Sequence, residues 1–437
     1  MNLQAHPDDL TASLGPLGRR FAGLALGAGI LGLGVAVAVA ALTPGSYRRF
    51  MLAYVVAFAF VLSLALGGMF FVFIQHVTRS GWSVVVRRLA EALMINVVLV
   101  ALMFIPIAVA VVQGHGSLYS WTQRDIPNQE SQGAGPPSQA GSAAVNPHPS
   151  VGHAERAFSS AKQAYLSAPA FIGRWIVYLG LWSLIAWFFR RHSVRQDTEG
   201  DYRHTQRMEA VAGPVGVVFG ITVTFAAFDL VMSLAPHWFS TIFGVYFFAG
   251  SVVASLALMI LMLVRLQGHG LLKQVNVEHQ HDLGKLLFCF VFFWGYIAFS
   301  QYMLIWYGNM PDERVWLVAR GASTAAGVAN GWSTILLILL FGHFLLPFAG
   351  LLSRHAKRRR ALLTGWAVWL LLMQWLDLLW LVMPSMGPKL HLGVIEIGLG
   401  VGLGGLFMAG VWRSLGQCRL LPVHDPRLQE SLAFENI

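Results

Sequence analysis

Cysteine is nearly missing from this chain: Cys289 and Cys418 are the only two in 437 residues. No Cys-x-x-Cys-His can attach haem c, no cysteine cluster can hold iron–sulfur, and no disulfide framework is available. The two thiols read as an inert core residue, Cys289, and a residue at a membrane edge, Cys418. Charge is scarce too. Only 11% of residues are charged, and Asp and Glu number 20 against 30 Lys and Arg. The net charge of +10 does not point to nucleic acid, because the basic residues cluster in short loops, where they set topology and meet anionic lipid. The strict alternation of a transmembrane barrel is also absent.

What fills the chain is apolar sequence, with 56% hydrophobic residues and a mean hydropathy of +0.61. Runs long enough to cross a bilayer recur throughout, which reads as an all-α polytopic membrane protein. Ten spans are expected, at 21–42, 50–74, 89–112, 170–189, 212–234, 240–264, 284–307, 331–352, 362–383 and 392–412. Arg19 and Arg20 precede a first run too long for the core of a signal peptide, so no cleavage is expected despite Ala38-Val39-Ala40. Twenty-one of the Lys and Arg fall on one side of these spans and nine on the other. That bias predicts cytoplasmic tails at 1–20 and 413–437. The one long extracytoplasmic segment, 113–169, has a Gly/Pro/Ser-rich middle that cannot bury a core, so disorder is expected there, with an interfacial helix over 155–167.

A few polar residues stand where hydrocarbon is expected. Asp229 lies about five residues, roughly 7–8 Å of helix rise, before its span stops. An acid there costs roughly 2.5 kcal/mol or more, so it implies a polar partner or a pathway. Asp377 and Glu396, on consecutive antiparallel spans, lie at a similar depth below the same surface. The three together look like the outer half of a polar path. Glu91, at the cytoplasmic edge, reads either as a proton-uptake group or as the i,i+4 ion-pair partner of Arg87. Pro106 should kink its span and free a carbonyl.

His343 is mid-membrane, four residues before Pro347, and is either a proton relay or a hydrogen-bonding group at a helix kink. It is the one histidine clearly at that depth, which argues against haem held between facing spans. Glu278-His-Gln-His281 lacks a second ligand cluster and reads as solvated loop, so no metal site is expected. Gln301 needs a partner in the bundle, Trp306 and Tyr307 fit an interfacial aromatic belt, and the glycine run Gly398–Gly405 permits close helix packing.

Several of these stretches form a recognisable set. They are Tyr47-Arg-Arg-Phe-Met-Leu-Ala-Tyr54, Gly81-Trp82 with Arg87-Arg88, Thr222-Val-Thr-Phe-Ala-Ala-Phe-Asp229 and Pro236-His-Trp-Phe-Ser-Thr-Ile-Phe-Gly244. They continue with Ser300-Gln-Tyr-Met-Leu-Ile-Trp-Tyr307, His343-Phe-Leu-Leu-Pro347 and Asp377-Leu-Leu-Trp-Leu-Val-Met-Pro384. Through them the chain, from about 46 to 412, resembles the ActF family of NrfD-like membrane subunits of bacterial alternative complex III, a quinol:electron-acceptor oxidoreductase. Glu396, where the family pattern suggests Asp, and the Gly/Pro/Ser loop are departures from it.

The resemblance implies two four-helix bundles with flanking spans, in the bacterial cytoplasmic membrane. It implies partners: a second NrfD-like subunit that binds the quinol, an iron–sulfur subunit and haem c subunits, with no cofactor bound by this chain. Its role would be non-catalytic, a scaffold with a proton route through Asp229, Asp377, Glu396, His343 and Glu91. Two rival readings remain. One is a quinone pocket of its own, with His237 and Asp229 as the polar end; the other is a scaffold whose acids only hold helices together. A stand-alone transporter fits less well, since no inverted repeat is evident.

Overall fold

The computed structural model describes residues 12–114, 118–122, 160–322 and 331–435. Among them are ten helices long and apolar enough to cross a membrane: α1 (Gly15–Leu42), α2 (Tyr47–Val77), α3 (Val84–Gln113), α4 (Ala168–Glu199) and α5 (Arg203–Leu234), followed by α6 (Phe243–Gln267), α7 (Val277–Gly308), α8 (Gly331–Leu352), α9 (Arg360–Met386) and α10 (Val394–Leu415). The chain is an all-α polytopic membrane protein. The Gly/Pro/Ser-rich middle of 113–169, where disorder is expected, lies outside the described residues. Of the interfacial helix expected over 155–167, a short helix at Ser160–Tyr165 is described.

The helices pack as two groups of four. α2, α3, α4 and α5 form the first; α6, α7, α8 and α9 form the second. The two meet along α2 and α6, which also touch α9 and α5 across the seam. α2 and α6 are covered by protein rather than left to face lipid, and are the most buried of the ten. Their contact is close because Gly67 has no side chain: a Cβ there would stand 2.3 Å from the Ser251 carbonyl oxygen. Ser255 adds a hydrogen bond to the Leu64 carbonyl at 2.8 Å.

α1 and α10 flank the bundles as an antiparallel pair. Added Cβ atoms on Gly32 and Gly405 would lie 2.8 Å and 2.6 Å from backbone atoms of the facing helix. The glycine run therefore does what its composition suggested, letting two backbones touch. Hydrophobic burial cannot drive such a contact in lipid, so close van der Waals packing has to.

Two helices depart from regular geometry. α3 is broken into Val84–Ile95, Val97–Met103 and Ile105–Gln113. Pro106 sits in the first turn of the last piece, where a missing N–H costs least. Near the break the Met103 carbonyl accepts a hydrogen bond from Tyr54 at 2.8 Å. α8 contains a π-helical stretch at Leu339–Leu345.

Beyond α10 the chain folds back over one end of the bundles. The Leu420 N–H bonds the Ala12 carbonyl, and Ser431 donates to the Trp82 carbonyl at 2.8 Å. This end is called the terminal face below, and the other the opposite face.

Candidate functional site

Asp229 lies in α5 near the opposite face and is fully buried. Arg174 and Tyr178 stand one turn apart on α4, a spacing that puts both on one face, and both reach it. The guanidinium is bidentate, with Nε and Nη2 each 2.8 Å from a carboxylate oxygen, and the Tyr178 hydroxyl donates at 3.1 Å. The Arg174 Nη1 bonds the Tyr165 carbonyl, and the Tyr165 ring lies 3.8 Å from the guanidinium carbon. Burial, with the Asp229 charge beside it, pushes the Tyr165 phenol upward, so the ring under the cation stays neutral. This is a closed charge pair with planar, two-point recognition.

Asp377, in α9, is equally buried but differently partnered. Tyr246 of α6 donates to it at 2.5 Å. Among the described residues no Lys or Arg forms an ion pair with it. The buried Arg320, just before α8, is committed elsewhere. It bonds the Leu381 carbonyl at 2.7 Å and the Trp316 carbonyl at 3.2 Å, under the Trp316 ring. Burial lowers its pKa to about 9, which leaves it cationic at pH 7.

Around Asp377 the second bundle gathers further polar groups. The Tyr246 ring lies 5.6 Å from Trp294 of α7, and Trp294 stacks on His343 of α8 at 3.9 Å. His343 is fully buried in the π-helical stretch, and among the described residues neither ring nitrogen has a hydrogen-bond partner. The hydrogen bond considered for it near the helix kink is therefore not made. Gln374, one turn before Asp377, has its Oε1 unpartnered in space that Gly250 leaves open. Buried polar atoms without partners are uncommon enough to need an explanation. Here several share one bundle.

Glu396 joins neither group. It forms a bidentate pair with Arg49 at 2.7 and 2.8 Å and accepts the Gly393 N–H, capping α10 and tying it to α2. No hydrogen bond or ion pair among the described residues links Asp229, Asp377 and Glu396. The three acids do not form one cluster.

Glu91 is buried in a network on the terminal face. Arg87, Arg88 and Arg190 lie 3.6, 3.4 and 3.3 Å from it, and Ser193 donates at 2.6 Å. Arg88 also pairs with Asp197 at 2.6 Å, and Arg87 with Asp425. The expected Arg87–Glu91 pair is present, as one link of a larger set. Arg190 reaches the Cys418 sulfur at 2.9 Å.

Other expectations need correcting. Glu278-His-Gln-His281 is not solvated loop but the buried first turn of α7. Glu278 pairs with Arg358, and the His279 Nε2 bonds the Ser431 carbonyl. Cys289 is not a core residue: it is exposed on the outer side of α7. Gln301 finds its partner in Ser240, at 3.3 Å.

His237 is exposed in the α5–α6 turn. Among the described residues one cavity lies beside Trp306 and Arg314 and another between α1 and α10. Neither is lined by His237 or Asp229. Among the described residues no group of three or more His, Cys, Asp or Glu could hold a metal. Sequence reasoning missed Arg174, Arg49 and Tyr246. It also missed a shared spacing: Asp229 and Asp377 each stand seven residues before a proline, Pro236 and Pro384, and each is followed by leucine. No family model matches the chain, and no curated protein is similar to it.

Proposed function

We propose that this chain is an integral, non-catalytic subunit of a quinol-oxidising respiratory complex in a bacterial cytoplasmic membrane, with its termini on the cytoplasmic side. In this reading a companion NrfD-like subunit binds the quinol, and partners carry the iron–sulfur and haem c centres. The first bundle serves as scaffold and the second as a proton route. One observation supports that division. Among the described residues Asp377 is buried without a cation and bonded to Tyr246, whose ring neighbours Trp294 and through it an unpartnered His343, whereas Asp229 is locked by Arg174.

Uncompensated buried charge is costly, so Asp377 is the acid suited to hold and pass on a proton. The Tyr246 hydroxyl connects it to the α6 side, and the free nitrogens of His343 offer the next stop. Glu91 and Glu396 are each tied up by arginine and act in assembly.

Two measurements test this. Purification of the tagged chain from native membranes in mild detergent is expected to bring down haem c and iron–sulfur proteins with quinol-oxidising activity. Recovery of the chain without them would refute the assignment. In liposomes, Asp377→Asn is expected to lower protons released per quinol at an unchanged electron-transfer rate. An unchanged ratio in an assembled complex would leave the subunit a scaffold.

A further inference from the structure

Where α1 and α10 diverge towards the terminal face they leave a groove of about 530 Å³, closed on its third side by Leu99 of α3. Its depth is apolar, lined by Ala22, Gly23, Leu26, Leu406 and Ala409. A Cβ on Gly23 would meet nothing within 4 Å beyond its own stretch of helix among the described residues, so the groove is open there. Its mouth is cationic. Arg19, near the start of α1, and Arg413, in the last turn of α10, both line it. Both are exposed, and neither makes an ion pair or hydrogen bond among the described residues. Among the described residues no acid lines the groove.

Two antiparallel helices in contact bring these guanidinium groups to one level, at the edge of the apolar span. From Arg19 to Leu26 the groove floor runs inward by roughly 10 Å of helix. A pair of free cations over a narrow apolar trough is the complement of a single phospholipid. A phosphate sits at headgroup level and a chain extends along the helices; basic pockets between spans bind anionic headgroups in this way. A helix from another protein would bury two unpaired arginines unless it brought acids to that level.

We propose that this groove binds one anionic diacyl phospholipid, its phosphate held between Arg19 and Arg413 and an acyl chain laid over Gly23. The test is native mass spectrometry of the full chain, delipidated in neutral detergent and offered phosphatidylglycerol or phosphatidylcholine. One phosphatidylglycerol should be retained, roughly tenfold better than phosphatidylcholine, each arginine near the headgroup contributing to the preference.

Arg19→Gln with Arg413→Gln should abolish the preference, and Arg19→Lys with Arg413→Lys should keep most of it. Gly23→Leu fills the trough without meeting another helix and should weaken retention of both lipids. That variant decides the question if the glutamine pair does not fold. Equal retention of the two lipids by the unaltered chain overturns the proposal, as does a preference that survives the glutamine pair, or full retention in Gly23→Leu. Displacement of the lipid by an equal concentration of soluble glycerol phosphate would assign the arginines to a free phosphate, and likewise overturns it.

Discussion

The first bundle and the second handle the same problem in opposite ways. Each carries an aspartate near the opposite face, followed by leucine and, seven residues on, by proline. In the first, Arg174 comes from the neighbouring helix and satisfies both oxygens of Asp229. In the second the cation is diverted: Arg320 bonds the backbone carbonyls of Leu381 and Trp316, and Asp377 accepts from the Tyr246 hydroxyl with no cation paired to it among the described residues. A compensated acid holds helices together and is expensive to disturb. An uncompensated one is tolerated where its proton is useful. The contrast separates a structural carboxylate from a candidate functional one within a single chain.

Substitutions can break that contrast. The largest effect is expected for Arg174→Ala, which strands the Asp229 charge. A loss of about 3 kcal/mol, the lower end for a broken buried pair because Arg174 is partly exposed, should appear as a sharply lowered Tm in detergent. Adding Asp229→Asn should recover part of it; no recovery would show that Arg174 matters through packing alone.

Tyr246→Phe comes next. It removes the donor facing Asp377 and should cost about 1–3 kcal/mol, the penalty for an unsatisfied buried group. A negligible change would mean that the hydroxyl does not serve Asp377. The smallest effect belongs to His343→Leu. No hydrogen bond is lost, so stability should change by less than about 1 kcal/mol. A lowered proton-to-quinol ratio with intact folding would then separate function from structure at that site. A large fall in Tm would instead make His343 a packing residue.

The spans were legible from the sequence because hydropathy is a property of one helix at a time. All ten were expected, and the helices differ mainly by running further past the apolar limits, as where α4 continues through Arg190 to Glu199. Pairings were not legible, because they depend on which helix lies beside which. Arg174 and Arg49 read as loop charges that set topology, yet each reaches a buried acid, the second of them 347 positions away. The start of α7 was misread for a related reason. Glu278, His279 and Asp282 lower the local hydropathy, which starts the apolar span at 284, whereas Arg358, the Ser431 carbonyl and Lys285 supply the partners that let these polar residues be buried. The repeated Asp-Leu spacing before proline was the one visible clue that two regions are built alike.

The fold-back after α10 has a consequence for how the protein is made. Arg87 meets Asp425, His279 meets the Ser431 carbonyl, and Asn276 meets the Phe434 carbonyl. Residues 425–434 leave the ribosome only after all ten spans have been synthesised. Until then Arg87 of α3 and the residues at the start of α7 lack these partners, in a chain already threaded through the membrane. The segment thus acts as a latch that closes only after the tenth span is made, and it covers polar residues of α3 and α7 that the earlier chain cannot cover by itself.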